Sequence, residues 1–71
     1  MGYRDMDLDD QVRAAMRRDH SVARLRIDVN VRNGIVHLRG SVTPGVHAHL
    51  LELVRGVDSV AAVVDEMSTA A

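Results

Sequence analysis

The segment from Leu25 to Val42 restricts this chain more than any other part of it. Apolar and polar residues alternate along Leu25-Arg26-Ile27-Asp28-Val29-Asn30-Val31-Arg32. They alternate again along Ile35-Val36-His37-Leu38-Arg39-Gly40-Ser41-Val42, with Asn33-Gly34 between the two runs. Asn-Gly tolerates the positive φ angles of a two-residue type I′ turn, whose twist matches that of paired strands. Counting outward from this turn sets Arg32 against Ile35, Val31 against Val36, Val29 against Leu38, Ile27 against Gly40 and Leu25 against Val42. One face is then almost wholly apolar, and a slip of one residue would turn it to water. The other face sets Asp28 against Arg39 and Asn30 against His37. Asn33 and Gly34 are structural, because the turn needs their conformation. Gly40 is structural too: lying on the buried face, it leaves room for a helix to come close.

The rest of the chain supplies two helices and one more strand. Leu8, Val12, Ala15 and Met16 fall on one stripe at helical spacing, predicting a helix from about Leu8 to Arg18 with Asp7 as N-cap. Asp9 and Asp10 near its start, and Arg13, Arg17 and Arg18 toward its end, suit the helix dipole. Asp9 and Arg13 form a favourable i,i+4 pair. After the hairpin, Thr43 is a good N-cap and Pro44 fits the first helical position, where a missing N–H costs nothing. Val46, Leu50, Leu53, Val54 and Val57 make the second stripe, which carries this helix to Asp58 or Ser59. Ala61 to Met67, centred on Val63 and Val64, reads as a third strand. The expected fold is α+β, a two-layer sandwich in the order α-β-β-α-β, with two helices on one face of a three-stranded sheet. Strands two and three, if neighbours, are parallel and joined by a right-handed crossover. Residues 1–6 read as a flexible N-terminal segment, 7–68 as a single domain and 69–71 as a tail.

Composition narrows function mostly by exclusion. A chain of 71 residues is one domain with a modest core and small stability. Its 46% apolar content suits a folded chain, and one Tyr without Phe or Trp makes the core aliphatic. Without Cys there are no disulfides, thiolate metal sites or thiol catalysis. A net charge of −1 argues against a nucleic-acid partner, which would call for a large basic excess. The polar start lacks an apolar signal region, and no run is long enough to span a bilayer. The chain as written therefore reads as cytoplasmic, with peripheral membrane contact as the alternative. No Ser-His-Asp spacing, phosphate-binding glycine loop or paired-carboxylate cleft is present, so neither an enzyme nor a cofactor is expected.

The arrangement resembles the BON domain family (bacterial OsmY and nodulation). That family shows an Asp-rich first helix, an alternating strand ending in Asn-Gly or Asp-Gly, a Val-x-Leu-x-Gly-x-Val strand, a second helix and a closing Gly-Val-x-x-Val-x-Asp/Asn-x-Leu segment. The counterparts here are Asp7 to Met16, Val29 to Gly34, Val36 to Val42, and Ser59-Val60-Ala61-Ala62-Val63-Val64-Asp65-Glu66-Met67. Ser59 stands where the family has Gly, and Met67 stands where it has Leu. The resemblance implies a non-enzymatic module of the kind found in exported stress proteins, secretins and mechanosensitive channels. It implies attachment to phospholipid or to other envelope components. Homo-oligomeric or protein–protein assembly is a second reading, motivated by exposed sheet edges. A potassium- or ligand-sensing role is a third, implied by one relative alone.

The candidate partner face is the polar side of the hairpin: Arg26, Asp28, Arg32, His37 and Arg39, suited to lipid phosphate or an acidic protein. A solvated face with one Asp28–Arg39 pair is the plainer reading of the same residues. The four histidines read as scattered and without carboxylate company, and His47 and His49, two apart on a helix, do not make a metal pair. Asp65 shares the parity of Val63 and Met67, which predicts a partly buried carboxylate that needs a partner such as a backbone N–H.

Overall fold

A computed structural model describes residues 3–69. Its elements are α1 (Tyr3–Arg18), β1 (Asp28–Arg32), β2 (Ile35–Val42), α2 (Pro44–Arg55) and β3 (Ala62–Thr69). The three strands form one sheet in the order β1-β2-β3. β1 and β2 are antiparallel, and β2 and β3, joined through α2, are parallel. This is the expected α+β arrangement.

The hairpin register is the one counted from Asn-Gly: Arg32 faces Ile35, Val31 faces Val36, Val29 faces Leu38 and Asp28 faces Arg39. Asn33 and Gly34 both take positive φ, at 54° and 78°. The ladder starts at Asp28, so the outer partners expected at Ile27 and Leu25 lie outside it. Ile27 nonetheless lies against Gly40, as counted, but the closest approach there is made by the Arg26–Ile27 segment and not by a helix. A Cβ there would lie 2.9 Å from the Arg26 carbonyl oxygen and 3.0 Å from Ile27 Cδ1.

The core lies between the sheet and both helices. α1 contributes Leu8, Val12 and Met16, the following loop Val22, the hairpin Val31, Val36 and Leu38, and α2 Leu50 and Val54. Val12, Val36, Leu38 and Leu50 have 0% exposure, each burial contributing roughly 2 kcal/mol. Ala15, from the predicted stripe, is half-buried.

The helix boundaries differ from those expected. Residues 3–6, read as a flexible lead-in, form the first turn of α1, which places Asp7 inside the helix rather than at its cap. Asp7 Oδ2 there accepts from Gln11 Nε2. Met1 and Gly2, and Ala70 and Ala71 of the expected tail, lie outside the described residues; Thr69 belongs to β3. Thr43 occupies the N-cap position of α2 with Pro44 beginning the helix, but its hydroxyl makes no capping bond. Its carbonyl accepts from His47 N–H. α2 ends at Arg55, short of Asp58. The Gly56 N–H closes on Glu52 and the Val57 N–H on Val54, so Val57 packs on the core from the turn beyond the helix.

Candidate docking surfaces

The sheet has one face against the helices and one open face. On the open face β1 places Asp28, Asn30 and Arg32, β2 places Ile35, His37, Arg39 and Ser41, and β3 places Ala62, Val64, Glu66 and Ser68. Asp28, Asn30, Arg32, His37, Arg39 and Glu66 line a shallow depression of about 430 Å³. Four of the five residues read as the partner face are brought together here. Arg26, the fifth, lies just before β1, where its backbone passes over Gly40 beside Arg39.

The cross-strand charge pair differs from expectation. Asp28 and Arg39 stand opposite each other in register, yet no ion pair joins them. Glu66, on the neighbouring strand, takes His37 as partner, with Nδ1 and Oε1 3.3 Å apart. Sequence reasoning did not place Glu66 on this face, because nothing local fixes the register of a parallel partner strand.

Three of the four histidines have carboxylate partners, which corrects the reading that they have none. His47 Nε2 donates to Asp65 Oδ2 and His49 Nε2 to Asp19 Oδ2, each at 2.5 Å. The two-residue spacing sends them to opposite sides of α2, one to β3 and one to the loop after α1. Asp19 also accepts from the Ser21 hydroxyl and N–H. The Ser21 hydroxyl first, and then His49, hold its carboxyl at a pKa of about 2. Asp65 Oδ1 accepts from Met67 N–H, and this bond, with His47 second, lowers its pKa as well. The Asp65 side chain is 31% exposed. Among the described residues no group of three or more His, Cys, Asp or Glu side chains could hold a metal.

The arginines contrast with these carboxylates. Arg13 pairs with Asp9 at 3.0 Å, and its Nη2 reaches the Val29 carbonyl. Arg17 and Arg18 in the last turn of α1, Arg24 and Arg26 in the loop, and Arg32 and Arg39 on the sheet make no ion pair among the described residues. Arg17 lies with Val22, Leu25 and Ile27 around a small hollow between the end of α1 and β1, whereas Arg18 lies beside Glu52 and Asp58 at the end of α2.

At the opposite end a cleft of about 850 Å³ lies between the first turns of α1 and the hairpin turn. There the Asp5 carboxylate accepts from both turn amides, Asn33 N–H at 2.9 Å and Gly34 N–H at 3.0 Å. Sequence reading missed this contact because the bond joins residues far apart in the chain.

A folded unit of this order and register is a small α+β domain with two helices on one face of its sheet and a polar face left open. The family model for the BON domain matches residues 4–71, and the chain belongs to that family. BON domains are in general non-enzymatic modules associated with phospholipid or with envelope components. A search of curated proteins gives no match. No helix among the described residues is long and apolar enough to cross a membrane.

Proposed function

We propose that this BON domain docks peripherally on an anionic phospholipid surface. Contact is made through Arg26, just before β1, and through Arg32 and Arg39 on the open sheet face, with Arg24 in the loop beside them in sequence. The observation that supports this reading is the uneven pairing of charge. On this face Glu66 is engaged by His37, while the guanidiniums have no ion-pair partner among the described residues, so Arg26, Arg32 and Arg39 are left with Asp28 as the one carboxylate of the depression not held by histidine. Guanidinium forks suit phosphate oxygens, and flexible arginine stems reach a headgroup layer without a preformed pocket. The net charge of −1 does not oppose this, since docking depends on the local field within about a Debye length, roughly 10 Å at 0.1 M salt.

Flotation with phosphatidylglycerol vesicles, against phosphatidylcholine vesicles as control, tests the proposal. The domain is expected to float with the anionic vesicles at low salt and to be released as salt rises. Replacing Arg26 and Arg39 together by Ala should weaken binding about thirtyfold, at about 1 kcal/mol for each basic residue near the surface. A domain that stays at the bottom of the gradient with anionic vesicles at low salt would refute the reading.

A further inference from the structure

The two free edges of the sheet are each touched by a charged side chain. We infer that Asp65 closes the edge of β3 to a second copy of this chain, and that His47 holds Asp65 in that position. The inference goes beyond lipid docking and does not depend on it.

The hairpin fixes which backbone groups are free. A two-residue turn makes Arg32 and Ile35 a hydrogen-bonded pair, so Ile35, His37 and Arg39 turn their N–H and C=O toward β1. Val36, Leu38 and Gly40 then turn theirs toward β3. In the observed parallel register these groups engage Ala62, Val64, Glu66 and Ser68. Val63, Asp65, Met67 and Thr69 are left with backbone groups pointing outward. Two side-chain bonds agree with this count. The Val29 carbonyl, outward on β1, accepts from Arg13, and Met67 N–H, outward on β3, donates to Asp65 Oδ1 at 2.9 Å.

An exposed strand edge is a template for another strand, and a charge set on the edge is a common way to block it. A second β3 laid antiparallel about Met67 would set Met67 against Met67, Asp65 against Thr69 and Glu66 against Ser68. No like charges would meet, so side-chain repulsion alone would not prevent this pairing. The central donor of such a pairing is Met67 N–H, the one that Asp65 occupies. An incoming strand must displace the carboxylate and strip it of water. His47 Nε2, from the first turns of α2, binds the second carboxylate oxygen and resists that displacement.

Sedimentation equilibrium on the whole chain, with far-ultraviolet circular dichroism to confirm folding, tests this. The wild type is expected to be monomeric across the concentration series. Asp65→Ala should raise the self-association constant about tenfold or more, and His47→Gln should raise it by less. A folded Asp65→Ala that stays as monomeric as the wild type overturns the inference, as does a wild type that dimerises as strongly as the variant. If Asp65→Ala fails to fold, His47→Gln decides, and no increase in its self-association also overturns the inference. Vesicle binding is read separately, so failure of lipid docking leaves this result intact.

Discussion

Gly34 and Gly40 bracket most of the central strand and look interchangeable in the sequence, yet the chain needs them for different reasons. Gly34 takes φ = +78°, and a Cβ placed there would find ordinary contacts, 3.5 Å from Ala61 Cβ and 3.8 Å from the Ser59 carbonyl oxygen. What the turn requires is a dihedral. At Gly40, with φ = +152°, a Cβ would also meet the Arg26 carbonyl oxygen at 2.9 Å. What that position requires is space, because backbone crosses directly over it. Backbone cannot swing aside as the tip of a side chain can, so the second requirement is the harder one to relax.

The sharpest way to break the comparison is to add the same methyl group at both places. Gly40→Ala should cost about 3 kcal/mol, from overpacking against backbone added to the disfavoured dihedral. Gly34→Ala should cost only about 1 kcal/mol, the left-handed penalty alone. Urea denaturation midpoints at constant slope would measure both. Equal costs at the two sites would show that the Arg26–Ile27 segment yields, and that space is not what Gly40 provides.

The same contrast explains what was legible in the sequence. The Asn33–Gly34 turn combines local residue chemistry with local periodicity, and Val29, Val31, Val36 and Leu38 follow from it by counting. The stripes at Leu8, Val12 and Met16 and at Leu50 and Val54 were legible for the same reason. The pairs His47–Asp65, His49–Asp19 and Asp5 with the turn amides were not. Each joins residues at least 18 apart, and each depends on how far a helix slides along the sheet, which no short pattern encodes. Arg26, Asp28, Arg32, His37 and Arg39 could be placed on or beside one face, but Glu66 on that face depends on the parallel register of β3.

A second left-handed residue sharpens the point from the other side. Ser59 takes φ = +75° in the turn between α2 and β3, where the family pattern has Gly. This turn lies against the hairpin turn: Ala61 N–H donates to the Gly34 carbonyl at 2.9 Å. Here the dihedral is required and the residue does not suit it. Ser59→Gly should stabilise the domain by about 0.5 kcal/mol, the left-handed penalty removed less the greater chain entropy of glycine. The melting temperature should rise by about 2–4 °C for a domain of this size. An unchanged or lower value would show that the Ser59 side chain offsets its own strain.

The smallest expected effect concerns charge in place of backbone geometry. Asp5 is bound by two amides that do not titrate, whereas Asp19 leans on Ser21 first and on His49 second. Asp19 has a folded-state pKa of about 2, below the ordinary aspartate value of about 3.9. A depressed carboxyl pKa contributes stability that is fully present above the unfolded value and is lost as pH falls through the folded one. Asp19 therefore stabilises the fold at neutral pH and ceases to do so between about pH 4 and pH 2. Carboxyl carbon shifts followed by nuclear magnetic resonance should place its midpoint well below that of an ordinary aspartate. His49→Ala should move the midpoint upward but not to the ordinary value, because the Ser21 hydroxyl and amide remain. Ser21→Ala should move it further, since the hydroxyl bond is the larger cause. If the two variants shifted the midpoint in the reverse order, α2 rather than the loop's own turn would be what holds the Asp19 charge in place.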